Sequence, residues 1–465
     1  MSEQEITLDQ FAGDSSDSKS EESTVSYVDY PDGWKVVNFH TLVSDFRYGT
    51  DTKSNTENNG YPTLRIPNIV GGKITTEDLK YTPVDDKEFE RLKLAEGDIL
   101  LIRTNGNPDY VGQSAVFSGE LEDSIFASYL IRIRVDRDEI NPVFAKEFLN
   151  SHSGRKEMAG WISTSAGNHN LGISSIENFS TPLPSLDEQR KIAGILQTVD
   201  QALETTEDVV SQATRVKKGL IQEFYSEGYY DHTEWQEVDK QDAYVMTRAN
   251  RVPAEWEVRQ SDEIADIKTG HTPSTSVDEY WDGDISWVDI HDLTQLEKTV
   301  IETTDDTITE EGLENSGAKL LPEGTLVLCR TGAIGETAIL GKEMATDQDQ
   351  VTFECDESVV LPRYLMYLFK FATPQLERLS AGSTHDKIQL HFFSDLEIPL
   401  PSLDEQQKMV DAIESVDDVV IANKEQLDGL KRLKKGLRQD LLSGDVRTAG
   451  KEIDIPDEVK NYEPE

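Results

Sequence analysis

Apolar positions along the chain alternate between two textures. Over 185–227 and again over 402–443 they recur at three- and four-residue steps. Ile192, Leu196, Val199, Leu203, Val210, Ala213, Val216, Leu220 and Phe224 form the first series, and Met409, Ile413, Val416, Val420, Leu427, Leu430, Leu433, Leu437 and Leu441 the second. That spacing draws a continuous stripe along one face of a helix. Its length predicts two helical rods of ~60 Å at ~1.5 Å per residue. Between the rods the apolar runs are short. Residues 98–102 and 325–329 each lie between a glycine and Arg-Thr, and each reads as an apolar-rich strand in a mixed α/β block.

Both rods begin with the same eight residues. Pro-Leu-Pro-Ser-Leu-Asp-Glu-Gln runs from Pro182 to Gln189 and again from Pro399 to Gln406, an offset of 217 that continues through Lys191/Lys408, Val199-Asp200/Val416-Asp417 and Lys217 to Leu220/Lys434 to Leu437. Ser185 with Glu188, and Ser402 with Glu405, stand at capping-box spacing. The flanking prolines cannot extend the helices backwards, and Gly228 and Gly444 mark their ends. Polar Thr206 and Asn423 fall at matching places in the stripe, where they could set register. One such stripe alone would be an ordinary buried helix. Two of equal length, equally capped, predict antiparallel packing on each other, because a whole domain separates them.

The mixed blocks are weaker repeats of one another. Trp34-Lys35-Val36 corresponds to Trp256-Glu257-Val258, Arg103-Thr104 to Arg330-Thr331, and Ser165-Ala166-Gly167 with Ile173 to Ser380-Ala381-Gly382 with Ile388. The expected organisation is a disordered acidic N-terminus (1–30), a first mixed domain (31–181), helical spacer 1 (182–228), a linker (229–252), a second mixed domain (253–398), helical spacer 2 (399–444) and a frayed acidic tail (445–465). The fold class is α+β.

Charge and chemistry narrow the function. The 465 residues carry 45 Lys+Arg against 89 Asp+Glu, a net charge of −44 and only two cysteines, so neither a disulfide framework nor a zinc site is expected. No apolar run is long enough to span a bilayer, and no signal peptide opens the chain, which predicts a cytoplasmic protein. Acidity argues against phosphate binding. It is spread along the whole chain, however, and is read as adaptation to high intracellular salt: the protein is expected to be halophilic.

The duplicated Pro-Leu-Pro-x-Leu-x-Glu-Gln lead-in to a long helix resembles the specificity subunit of type I restriction–modification systems. Supporting stretches are Thr269-Gly270-His271-Thr272-Pro273-Ser274 with Tyr280 and Ile285-Ser286-Trp287, together with Leu64-Arg65-Ile66-Pro67-Asn68 and Ile102-Arg103-Thr104-Asn105-Gly106. The resemblance covers residues ~31–448. It implies two target-recognition domains, each reading one half of a bipartite asymmetric site in double-stranded DNA. The spacer helices would set the gap, at most ~17 base pairs for a ~60 Å rod, and dock two methyltransferase subunits. Restriction/translocase subunits would complete the complex. It further implies that this chain has no catalysis, cofactor or metal of its own, with S-adenosylmethionine, ATP and Mg2+ on the partner subunits.

Base edges need projecting donors and acceptors. The candidates for DNA contact are Arg47, Tyr48, Lys53, Asn55, Arg103, Asn105, Asn168 and His169 in the first domain. In the second they are His271, Thr272, Ser274, Tyr280, Arg330, Thr331, Thr384, His385 and Lys387. Arg103 and Arg330 share one position, so a structural salt bridge is their alternative role. Tyr280-Trp281 would equally suit core packing, and Gly167 and Gly382 suit turns. The basic island Lys431-Arg432-Leu433-Lys434-Lys435 with Arg438 would serve DNA, a partner or the helix dipole. Asn107-Pro108-Asp109-Tyr110 resembles the Asn-Pro-Pro-Tyr motif of amino-methyltransferases but departs at its third residue. It lacks an accompanying Gly-rich cofactor turn, so a plain turn is the favoured reading. A coiled-coil adaptor without a DNA role is the remaining alternative. It would have no need of two divergent heads.

Overall fold

The computed structural model describes residues 30–165, 167–238, 244–246, 251–380 and 387–462; all but Tyr30 of the N-terminal segment expected to be disordered lies outside them. The two long helices form over Leu186–Glu227 and Leu403–Ser443. Ser185 Oγ accepts from the Glu188 amide and Ser402 Oγ from the Glu405 amide, both at 3.3 Å. Gly228 and Gly444 close the helices at φ +90 and +82, a conformation that carries no Cβ penalty for glycine.

The second half of each capping box does not form. Instead of turning back to its cap amide, Glu188 accepts from Trp34 Nε1 at 3.1 Å and from Arg447 Nε at 2.8 Å. Glu405 accepts from Trp256 Nε1 at 3.3 Å and the Tyr229 amide at 2.9 Å, with His232 Nε2 3.0 Å away. The neighbouring glutamines are equally committed. Gln189 Oε1 takes the Asn141 amide and its Nε2 donates to Pro184 O; Gln406 Oε1 takes the Leu361 amide and its Nε2 donates to Pro401 O. The repeated Glu-Gln is thus the clasp that fixes each rod to its mixed domain through the Trp-x-Val strand and the helix that follows the sheet.

The chain forms two compact units, Met1–Thr205 with Asp428–Glu465, and Thr206–Leu427. In the first, Ile192, Ala193 and Leu196 share a core with Leu437, Leu441 and Leu442, and Asp200 pairs with Lys434. In the second, Leu220, Ile221 and Phe224 share a core with Met409, Val410 and Ile413, and Lys217 pairs with Asp417. Within each unit the helices therefore run antiparallel. Shifted by 217 residues, Asp200–Lys434 becomes Asp417–Lys217: one ion pair is made twice. Asn423 does not set register across the pair, since its Nδ2 donates to Val419 O of its own helix at 2.7 Å.

Each mixed domain is built on its own sheet, and the strand order of the two sheets matches. In the first unit the order is Val43–Tyr48, Leu130–Val135, Ile99–Ile102, Ser114–Val116; in the second it is Ala265–Thr269, Gln350–Cys355, Leu326–Cys329, Thr337–Leu340, with Val300–Ile301 added at the edge. Ile99, Leu100, Leu101 and Ile102 are all fully buried because alternate residues enter different cores: Ile99 and Leu101 meet the rod-facing core, and Leu100 and Ile102 a second one. Leu326 and Leu328, against Val327 and Cys329, repeat this division. A strand buried on both faces reads as an unbroken apolar run.

The tail, expected to fray, packs instead over its described residues Asp445 to Tyr462. Arg447 and Thr448 close on Glu188, Val459 and Tyr462 are buried, and Tyr462 OH lies 3.2 Å from Ser118 Oγ. The linker does the corresponding work for Glu405, and its strand Tyr244–Val245 pairs in parallel with Leu396–Leu400. No helix among the described residues is long and apolar enough to cross a membrane.

Candidate nucleic-acid interface

In each unit three loops meet at one end of the sheet, because two strands stop where their antiparallel central neighbour begins. In the first unit the Thr50 amide donates to Phe126 O (2.9 Å), Ser128 N to Thr50 O (2.7 Å) and Arg103 N to Tyr129 O (3.0 Å). In the second, His271 N donates to Thr346 O (2.9 Å) and Arg330 N to Asp349 O (3.0 Å). Gly49 and Gly270 permit this approach: a Cβ on Gly49 would strike the carbonyl oxygens of Phe126 and Ala127, and one on Gly270 that of Thr346.

The two shared arginines hold this frame. Arg103 Nη1 donates to Ser128 O at 3.2 Å. Arg330 Nε and Nη2 donate to Gln348 O at 3.1 and 2.9 Å, and Nη1 to Ile388 O at 3.2 Å. Their backbones correspond too, with Leu171 N donating to Arg103 O and Ile388 N to Arg330 O. A strut role therefore describes both, through carbonyl oxygens rather than the salt bridge that sequence suggested. Arg330 is buried, and burial pushes its guanidinium pKa down.

On the first frame stands a small sheet of Ser163–Ser165, Asn168–Asn170 and Thr104–Asn105, in which His169 pairs across from Asn105. Tyr48 is 41% exposed, accepts from the Ile173 amide at 3.0 Å, and lies under the Arg103 guanidinium at 4.8 Å. Tyr48, Arg103, Asn105, Asn168 and His169 thus come together. Arg47 does not join them. It points to the opposite face of its strand, where it pairs with Asp45 at 2.7 Å. Asn55 is a loop former: its Nδ2 donates to Asn59 O and Tyr81 O while Oδ1 accepts from Glu57 N. Lys53 is exposed on that loop. Sequence reading missed Tyr110, Tyr129 and Trp161, which are 45%, 57% and 46% exposed on segments next to this cluster. A single sequence gives no signal that separates such aromatics from core residues.

In the second unit an unforeseen residue, Gln348, gathers the predicted ones. Its Oε1 accepts from Thr272 N and Oγ1 at 3.1 and 2.9 Å, and its carbonyl accepts from Arg330 and from Lys387 Nζ at 3.1 Å. Lys387 also pairs with Asp349 at 2.7 Å. His271 O accepts from Trp287 Nε1 at 3.2 Å, and the His271 side chain is exposed. Ser274 Oγ lies 2.9 Å from Ser276 Oγ, and Thr331 sits partly exposed beyond the arginine. Tyr280 is half-buried, and Trp281 packs edge-on to Trp287 at 5.2 Å, which is the packing alternative. Thr384 and His385 lie outside the described residues. Beside Gln348, burial pushes the Asp347 carboxyl up to about 6, with Asp349 and Asp289 adding to the shift.

Asn107 to Tyr110 is a turn, as its departure from the methyltransferase motif suggested. Asn107 Oδ1 caps the Asp109 amide at 3.0 Å, and Arg155 Nη2 holds Asp109 O at 2.7 Å. The basic island divides: Lys434 and Arg438 turn inward to Asp200 and Glu147, whereas Lys431, Arg432 and Lys435 are exposed.

Comparison with known proteins bears on this arrangement. The family described as Type I restriction modification DNA specificity domain matches residues 31–212 and 253–432, well over half the chain. A putative type I restriction enzyme MjaX specificity subunit of Methanocaldococcus jannaschii is 22% identical over 422 residues, covering 90% of this chain and 94% of that protein. The MjaIX specificity subunit of the same organism is 33% identical over 189 residues, 40% of this chain and 44% of that one. Among solved structures, the type I restriction–modification S subunit from M. genitalium superposes with a TM-score of 0.55 at 14% identity, covering 88% of this chain and 96% of that one. That likeness speaks for the fold. With its specificity domain present twice, this chain belongs to the family of type I restriction–modification specificity subunits.

Proposed function

We propose that this chain reads a bipartite, asymmetric site in double-stranded DNA, one half with each unit, as the non-catalytic recognition subunit of a type I complex. The observation that carries this is one loop frame bearing two different sets of side chains. Gly49/Gly270 and Arg103/Arg330 build the same sheet end twice. On it stand Tyr48, Asn105, Asn168 and His169 in one unit, and His271, Thr272, Ser274, Thr331 and Lys387 in the other. Phosphate contacts would position such a head and side chains at loop tips would specify the bases. The long helices dock two methyltransferase subunits; Val216 and Leu433, equivalent under the 217-residue offset and 53% and 50% exposed, suit two equivalent partners. S-adenosylmethionine, ATP and Mg2+ act on the methyltransferase and restriction subunits, and the complex works in the cytoplasm.

The test is a base-resolution map of adenine methylation in the host with and without the gene. Loss of one split motif, all others intact, is expected. A methylation pattern unchanged in the host, and again on reconstitution with the methyltransferase, would refute it. Exchanging residues 31–181 for the corresponding domain of a relative should alter one half of the motif only.

A further inference from the structure

The second unit holds a cavity of about 350 Å³ lined by four lysines: Lys217 of the first long helix, Lys298 of the loop after the helix Ile290–Gln295, Lys370 of the helix Pro362–Ser380 and Lys424 of the second long helix. In a chain with 89 acids against 45 basic residues such a gathering is unexpected. Two acids share it, and each is paired with one of the four lysines, so two lysines remain in excess. Asp417 is taken by Lys217 and by Tyr367 OH at 2.7 Å. Glu297 stands 3.6 Å from Lys424 as an open surface pair, 61% and 43% exposed. Among the described residues, Lys298 and Lys370 make no hydrogen bond or ion pair. Burial, and then the charge of Lys217, push the Lys370 ammonium pKa down, only partly offset by Glu336 and Asp417. A bound anion would reverse that penalty.

The first unit shows what a closed version looks like. Lys434 and Asp200 occupy the places of Lys217 and Asp417. Counting from the prolines Pro142 and Pro362 that open the equivalent helices, Tyr367 is replaced by Glu147 and Lys370 by Asn150. Glu147 is buried and bonded to both Lys146 and Arg438. Burial alone would raise its pKa, but Lys146, Arg438 and Lys434 hold it well below the usual carboxylate range. Asn150 Nδ2 donates to Ser114 O at 2.7 Å. The first unit thus supplies its cations with an internal carboxylate, whereas the second leaves the corresponding space open and lysine-lined.

We propose that the cavity of the second unit binds phosphate groups, with Lys298 and Lys370 as the principal donors and Lys217 and Lys424 at its margin. Charge-assisted N–H···O⁻ bonds to phosphate are the strong class of hydrogen bond. The phosphates could belong to a free polyphosphate or nucleotide, or to a DNA backbone, and the inference does not rest on the reading of DNA by the sheet-end loops.

The test uses the full chain at the lowest salt that preserves its native far-UV circular dichroism. Sodium tripolyphosphate is titrated calorimetrically and a short random-sequence duplex by fluorescence anisotropy, against wild type, Lys298→Ala, Lys370→Met and the exposed control Lys342→Ala. Lys298 is exposed, so its removal leaves folding intact, and Met retains most of the apolar stem of Lys370. Weakening of roughly tenfold or more for tripolyphosphate in the two cavity variants, and not in the control, supports a site for free phosphates. Failure of tripolyphosphate to bind, with the duplex salt slope falling by about 0.9 per lysine removed, assigns the site to backbone phosphate. Wild-type binding of neither probe, or equal binding by all four proteins, overturns the proposal.

Discussion

At the residue scale, the same residue types divide into frame and contact according to where their polar atoms are spent. Arg330, buried and bonded to two carbonyl oxygens, belongs to the frame. Replacing it by Met removes its hydrogen bonds to both oxygens, leaving Gln348 O with the Lys387 ammonium, and should cost roughly 2–3 kcal/mol in urea denaturation, the range for hydrogen bonds from a charged donor. Asn105 and His169, on a small partly exposed sheet, should behave oppositely. Their Ala variants are expected to melt within about 1 °C of wild type while methylation of one half-site falls, since a base contact is worth ~1–3 kcal/mol. Unchanged methylation in both would remove them from the interface. Asp347 offers a pH test. Its folded pKa of about 6 lies above the ordinary carboxylate value, so its contribution to stability is fully present below pH ~4 and is lost as pH rises through 6. Asp347→Asn should therefore stabilise the protein at pH 7–8 by roughly 1–3 kcal/mol and flatten the melting temperature between pH 4 and 6; an unchanged slope would count against it. The loops carrying these residues were legible in the sequence, but their roles were not. Arg47 and Tyr48 are adjacent, and the pleat alone sends them to opposite faces.

At the element scale, the helices were legible because forty residues of periodicity, two prolines, a cap serine and a terminal glycine all agree. The reach of Glu188 and Glu405 was not, because their partners lie far away in sequence, at Trp34 with Arg447 and at Trp256 with His232. A local capping-box rule loses to an indole N–H, buried at Trp256 and partly buried at Trp34, that needs an acceptor. The packed tail was missed for the same reason: an acidic composition hid Val459 and Tyr462, whose burial depends on surfaces built by residues over three hundred positions earlier, such as Ser118. The strand run Leu326 to Cys329 was legible as apolar, while its division between two cores was not. Leu328 is fully buried on the rod-facing side. Leu328→Ala should therefore cost about 3 kcal/mol, within the range for a Leu-to-Ala cavity. A loss below about 1 kcal/mol by chemical denaturation would mean the core collapses around the gap.

At the scale of the whole molecule, the net charge of −44 must coexist with the apolar cores of two units and their paired helices. Many of the 45 basic residues are spent inside the units, as in Asp200–Lys434, Lys217–Asp417, Arg132–Asp45 and Arg134–Asp98. What remains outside is an excess of carboxylates that repel one another in the folded state and are partly relieved on unfolding. Screening should remove this penalty. The Debye length falls from about 10 Å at 0.1 M salt to about 3 Å at 1 M, shorter than most surface charge separations, whereas the buried pairs are screened much less. The melting temperature is therefore expected to rise steadily with KCl between 0.1 and 2 M, beyond the rise given by sucrose at equal water activity. The opposite trend holds for phosphate contact, whose affinity falls by ~0.9 log units per contact per decade of salt. A protein stabilised by salt but reading DNA in it must place its discrimination in base contacts and in the linkage of two heads. Full-site binding sums the phosphate contacts of both heads, so its affinity should fall more steeply per decade of salt than that of either half-site, by about the sum of the two half-site slopes. A melting temperature flat across the KCl series would show that the acidic surface exerts no net repulsion on the fold.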